Sequence, residues 1–138
     1  MNAEQGPLHK IAIRLFDEVV NQGHVDVIHD LYAPEFVDHA PGPGQESGPA
    51  GIIQVVERYR AAIPDLHVTL EDVLECGDRL VTRETWRGSQ SQDLADLPAN
   101  GAVFEVTRIH IFRIVAGRIV EEWTAGSVLD ALRAANNR

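Results

Sequence analysis

Apolar residues recur every three or four positions near the start of the chain: Leu8, Ile11, Ala12, Leu15, Phe16, Val19 and Val20. That spacing lays one stripe along one side of an α-helix. Gly23 stands where a left-handed residue would end it. Val25, Ile28, Leu31 and Tyr32 predict a shorter second helix, which Pro34 stops. PEFVDHAP (34–41) then reads as a short extended piece. APGPGQESGP (40–49) holds three Pro and three Gly and can only be loop. Pro49 fits the first turn of a third helix. Ile52, Ile53, Val56, Tyr59 and Ile63 form its apolar stripe, and Pro64 ends it.

From His67 the period shortens to that of strands. HVTLEDVLE (67–75) and RLVTRETWRG (79–88) flank a Cys-Gly-Asp turn. The stretch 89–102 is polar, turn-rich and short of apolar anchors, so it reads as a flexible excursion that gates a site. Two strands follow, 103–114 and 118–123, joined at Val115, Ala116 and Gly117. A three-residue loop with Gly117 left-handed would set Ile114 opposite Arg118 and Phe112 opposite Val120. The same register sets His110 opposite Glu122 and Arg108 opposite Thr124. Ser127 and Asp130 have capping-box spacing and start a terminal helix through about Ala134. Helices first, then an antiparallel sheet, then a helix is an α+β order. Helices packed on one face of a strongly curved sheet would make a cone with a pocket at its open end.

The hairpin face that carries Arg108, His110, Glu122 and Thr124 is half apolar and half ionisable, which suits a pocket wall better than a dry core. Histidine titrates near neutrality, so His110 is a candidate general acid or base. Glu122 is its candidate partner, its carboxyl raised by desolvation and lowered by a neighbouring cation. The Arg108 guanidinium could bind an enolate or ester oxygen. Thr124 is a hydrogen-bonding neighbour. Tyr59, Trp86, Phe112, Phe36 and Trp123 are candidates for the pocket lining, while Asp38 reads as facing away. His9, His24, His29 and His67 read as surface residues.

Composition narrows the partners. A chain of 138 residues predicts one domain, 1–138, with a real core. A net charge of −9 argues against nucleic acid. No apolar run approaches the roughly 18 residues of a membrane span. The N-terminus lacks the basic start of a signal peptide, so a cytoplasmic location is expected. Cys76 is the only cysteine, which excludes an internal disulfide. The Gly-Pro-Gly run lacks the lysine and hydroxyl of a phosphate loop. No His/Asp/Glu spacing calls for a metal.

Four stretches carry a family resemblance: LYAPEFVDH (31–39), IPDLHVTLEDVLECGDRLVTRETWRG (63–88), LPANG (97–101) and IHIFRIVAGRIVEEW (109–123). Together they resemble the SnoaL-like polyketide cyclases of the nuclear transport factor two superfamily. The resemblance implies a cystatin-like, cone-shaped α+β barrel and a small hydrophobic or polyketide-like ligand. It implies aldol ring closure without metal or cofactor. It also implies a homodimer through the outer sheet face, where Val103, Ile109 and Ile111 stand. In that family an aspartate just after the tryptophan is the acid/base group, with a histidine on the neighbouring strand. His110 matches the histidine, and His39 matches a histidine at the cavity mouth. Thr124 takes the place of the aspartate, and Glu122 and Gln90 stand where relatives carry histidine. Three readings stay open. One is acid/base chemistry next to a carbonyl by His110 and Glu122. The second is an epoxide-opening or hydrolytic relative, with Glu122 activating a hydroxyl or water. The third is a ligand binder without turnover, which Thr124 favours.

Overall fold

A computed structural model describes residues 6–137. The first apolar stripe folds as an α-helix over His9–Ile13 that widens into π-helical turns over Arg14–Asn21, together α1. Gly23 (φ +81°) ends it as the sequence predicts, its N–H donating to the Val19 carbonyl. A 3-10 turn at Val25–Val27 leads into the short helix Ile28–Leu31, together α2. The chain then becomes extended as β1, Tyr32–Asp38. Helix α3 spans Pro49–Ala62 with Pro49 in its first turn. Strands β2 (His67–Cys76), β3 (Arg79–Ser89), β4 (Val103–Val115) and β5 (Arg118–Ala125) follow. Helix α4, Val128–Asn136, is capped by Ser127, whose Oγ accepts from the Asp130 N–H at 3.1 Å.

The five strands form one sheet in the order β1-β5-β4-β3-β2. It is mixed rather than purely antiparallel, because β1 runs parallel to β5. Most of the chain lies between these two strands, so no tight turn forces them to oppose. Apolar side chains of α1, α3 and α4 meet Leu80, Phe104, Phe112, Ile114 and Ile119 of the sheet in one core. Along β3 the buried positions alternate strictly: Leu80, Thr82, Glu84 and Trp86 point inward. This period of two therefore carries two polar residues into the interior with the apolar ones.

The hairpin differs from its predicted register. Its loop has two residues, Ala116 (φ +51°) and Gly117 (φ +78°), and Val115 pairs with Arg118. Both loop residues are left-handed, the backbone of a type I′ turn. Alanine rarely takes that conformation, which is why the sequence pointed to Gly117 alone. A β-bulge follows. Ile114 pairs with Ile119 but Arg113 pairs with Glu121, leaving Val120 as the extra residue. Beyond it Phe112 faces Glu122 and His110 faces Thr124.

The 89–102 excursion is also better anchored than its composition predicts. Leu94 and Leu97 exchange backbone hydrogen bonds of 3.0 and 2.8 Å, and both side chains are buried in the core. Gln90 is buried too, its amide donating to the carbonyls of Gln92 and Leu97. None of these residues lines the cavity described below.

Ala116 is strained in its left-handed conformation. Ala116→Gly or Ala116→Asn is expected to stabilise the protein by about 1 kcal/mol. The urea midpoint measures this; an unchanged or lower midpoint contradicts the turn assignment.

Candidate functional site

A cavity of about 460 Å³ opens between α1, α3 and the concave face of the sheet. Leu15, Phe16, Val56 and Tyr59 supply its helical wall. Tyr32, Trp86, Arg108, His110, Glu122 and Thr124 supply the sheet wall. Residues from 40 to 45 and from 126 to 130 contribute to its rim, with Asp38 just inside. The walls are thus largely apolar with a few convergent polar groups, the usual make-up of a small-molecule site.

His110 and Glu122 both face inward, as their even spacing predicts, but they do not oppose each other. His110 lies across from Thr124, and Glu122 lies across from Phe112 on one side and Asp38 on the other. Each has a different hydrogen-bonding or charged neighbour from the one expected. The Tyr32 hydroxyl donates to Glu122 Oε1 at 2.8 Å. Burial raises the Glu122 carboxyl above its ordinary value, and the Asp38 charge adds to this. His110, the Tyr32 hydrogen bond and Arg108 pull it back only in part. Burial likewise pushes the Tyr32 hydroxyl well up, reinforced by Glu122 and Asp38. The Tyr59 hydroxyl is raised by burial against the opposing influence of Arg108.

His110 Nδ1 lies 2.9 Å from Oε1 of Glu84, which the solvent does not reach. The approach is close, yet the ring N–H is not aligned with it as a hydrogen bond. Glu84 also accepts from Trp86 Nε1 at 2.9 Å and from Thr82 Oγ1 at 2.7 Å. The His110 ring stacks on Phe112, with centroids 5.4 Å apart and planes 2° apart, and Phe16 tilts against it at 5.5 Å. Arg108 lies over the Trp86 ring at 4.6 Å and donates from Nε to the Gly126 carbonyl at 3.1 Å.

Several of the placements expected from the sequence change for one reason, the phase of a strand. Asp38 pairs with Glu122 and so points inward with it. Its Oδ2 accepts from Gln45 Nε2 and its Oδ1 from the Ala40 N–H. His39, one residue on, points outward. It stacks on Trp123 at 4.8 Å and bonds Glu121 through Nε2 at 2.8 Å, away from the cavity mouth. With Arg113, it holds the Glu121 carboxyl below the ordinary range. Trp123 is therefore an outer-face residue. Phe112 is fully buried beneath His110 and lines the core rather than the cavity. Phe36 is core as well, packed on Tyr32. Trp86, Tyr59, Arg108 and Thr124 all line the cavity.

Glu84 and Tyr32 are site residues that the sequence did not single out. A signal existed for the first: if Leu80 and Trp86 of one strand face the core, Glu84 must face it too. Tyr32 was hidden by its assignment to the end of the second helix. Among the described residues, no group of three or more His, Cys, Asp or Glu is placed to hold a metal ion. No described helix is long and apolar enough to cross a membrane.

A curved sheet wrapped around helices, closed at one end and holding ionisable groups inside, is the α+β cone of the nuclear transport factor two type. The family model for SnoaL-like polyketide cyclases matches residues 10–135, and the chain belongs to that family. IdmH from Streptomyces antibioticus, a proposed polyketide cyclase, is 28% identical, covers 96% of this chain and 100% of its own, and superposes with a TM-score of 0.79. A proposed SnoaL-like polyketide cyclase from Jannaschia sp. CCS1 is 22% identical over 97% of both chains, with a TM-score of 0.80. AclR from Streptomyces galilaeus, a proposed hydroxylase, is 17% identical over 95% of this chain and 96% of its own, with a TM-score of 0.77. The last two likenesses show the fold alone. No curated protein matches the chain.

The raised carboxyl of Glu122 has a consequence for stability. An acid whose folded value lies above its ordinary one, here 4.5, stabilises the fold fully below that value. The contribution is lost as pH rises through the raised value. Glu122→Gln removes this dependence, so the stability of the variant relative to the parent should climb as pH rises above 4.5. Paired urea titrations from pH 4 to 8 measure it; a constant difference would mean that Glu122 is not desolvated as described.

Proposed function

We propose that the protein is a cofactor-independent enzyme that closes a ring by an aldol-type step, or isomerises a substrate, next to a carbonyl of a polyketide-like molecule. The observation that carries this reading is the pair of proton-transfer groups on one cavity wall in unlike settings. His110 sits against a buried carboxylate, and Glu122 sits in a desolvated corner with Tyr32. Environments that separate two titratable groups in this way divide acid and base roles between them. His110 takes a proton from carbon next to the carbonyl. The enolate carbon attacks a second carbonyl carbon, and a C–C bond forms as that C=O opens to an alkoxide. Glu122, carrying its proton, gives it to the alkoxide. The proton held by His110 then returns to Glu122, through solvent as product leaves, and the net change is an isomerisation. Arg108 supplies charge for the enolate oxygen, Trp86 and Tyr59 offer flat walls, and Thr124 orients the substrate beside His110. On this reading Glu122 takes over the acid role that Thr124 cannot fill.

A second reading has one observation in its favour. Asp38 and Glu122 are ladder partners inside the cavity, so two carboxyls lie side by side where an epoxide-opening or hydrolytic step would need an acid and a water-activating base. A binder without turnover is the remaining outcome. We also propose that two copies pair through the outer sheet face, where Val103, Ile109 and Ile111 are exposed. A monomer mass in light scattering at micromolar concentration would contradict the pairing.

Panels of β-keto esters and of epoxides, assayed in parallel, separate the three. Turnover of the first is expected. On the substrate found, Glu122→Gln should lower kcat by roughly 10²–10⁴-fold and Thr124→Val far less. Full activity in folded Glu122→Gln removes Glu122 from the mechanism. Tyr32→Phe supplies a pH test. The Tyr32 hydrogen bond favours the charged carboxylate, so its loss lifts Glu122 further. The alkaline limb of kcat against pH, set by Glu122 as acid, should move to higher pH; a limb that stays or moves down contradicts the assignment.

A further inference from the structure

We propose that Glu84 is the positioning residue of His110: it keeps a proton on Nδ1 and so leaves Nε2, the far nitrogen of the ring, with a free lone pair for the substrate. The inference rests on the reading of His110 as the base. It begins with the isolation of Glu84. The side chain is 0% exposed, and among the described residues His110 is its only ion-pairing partner. A charged carboxylate this dry costs several kcal/mol unless donors surround it. Trp86 Nε1 and Thr82 Oγ1 supply two donors, one to each oxygen. The third neighbour is His110 Nδ1 at 2.9 Å.

That third contact fixes where a proton must be. An imidazole nitrogen and a carboxylate oxygen each present a lone pair. At 2.9 Å the carboxylate charge repels a bare lone pair on Nδ1 and attracts an N–H there, even with that N–H off the line to Oε1. Both Glu84 oxygens already accept hydrogen bonds, from Trp86 and Thr82, so the proton belongs to Nδ1. Which ring nitrogen of a neutral histidine is protonated is set by the partner of the other. With Nδ1–H spent on the wall, Nε2 is the acceptor. Phe112 stacked on the ring and Phe16 tilted against it limit its rotation and keep the two nitrogens on their sides.

The remaining groups around the ring do not offer Nδ1 another partner. Thr124 faces His110 from β5 and Glu122 lies diagonal to it, with Asp38 of β1 across from Glu122. Arg108 stands two residues away on the same strand and is turned onto Trp86. Tyr59 lines the cavity from α3, and α1 presents Phe16 to the ring. Glu84 acts on a second group of the same wall as well, since the indole it holds carries Arg108. One buried carboxylate thus orients both the base and the platform under the cation.

The test needs no substrate for its first readout. In the full chain labelled with 15N-histidine, the neutral His110 ring should show its proton on Nδ1. Glu84→Ala should return the proton to Nε2. Glu84→Gln keeps an acceptor of the same shape and should retain the Nδ1–H form, while losing the negative charge beside the ring. Its kcat should fall about 10-fold or more with KM within about twofold. A parent ring that carries its proton on Nε2, or the same tautomer in parent and in folded Glu84→Ala, overturns the proposal. So does an unchanged kcat in Glu84→Gln. If Glu84→Ala fails to fold, the parent tautomer and the isosteric Gln variant still decide. The Nδ1–H tautomer without turnover of any panel substrate supports the positioning role and counts against the cyclase reading alone.

Discussion

Keeping carboxylates out of water is the constraint on which the rest of this structure depends. Glu84 and Glu122 are both buried in a sheet face that also supplies the hydrophobic core. Neither could remain there alone, because an unpaired buried charge costs more than most single contacts return. The neighbourhood of each is accordingly specific. Around Glu84 stand a hydroxyl, an indole and an imidazole; beside Glu122 stands a phenol. Thr82 and Trp86 stand on β3 with Glu84, while His110 and Tyr32 reach across strands, so satisfying the two carboxyls also ties β3 to β4 and β1 to β5. The polar wall and the fold are in this sense one set of contacts.

The two acids are nonetheless handled differently. Donors and a nearby imidazole converge on Glu84, while Glu122 is left with one hydroxyl and a second carboxylate in the next strand. Burial therefore dominates Glu122 and raises its carboxyl. Thr124 gives this wall a hydroxyl and no carboxyl. The chain still places a carboxyl on the same wall, two ladder pairs away, in a corner dry enough to hold a proton.

Much of the fold was legible because it rests on periodicity. The amphipathic stripes of α1 and α3, the turn at Gly77 and the Ser127 cap are local signals that the tertiary structure leaves intact. The site was legible only in part, since its geometry depends on strand phase. The inward direction of His110 and Glu122 follows from the sequence through two departures that offset each other. The loop is one residue shorter than expected, and the bulge adds one residue back, so the faces agree while the register moves by two. His39 and Asp38 were exchanged because nothing local in β1 announces its pairing with β5. Glu84 was passed over although its own strand placed it inward.

The bulge at Val120 gives the hairpin a spare residue. In evolutionary terms this separates chain length from the chemistry of the cavity wall. A lineage that lost Val120 would straighten β5 and keep Glu122 and Thr124 on the inner side, since the ladder beyond the bulge already pairs without it. A residue gained between 121 and 122 has no such outlet within the strand and would turn the acid outward and the indole inward. Length variation is thus free at one position of β5 and tied to a change of reaction at the next, so insertions and deletions along this strand are under unequal selection.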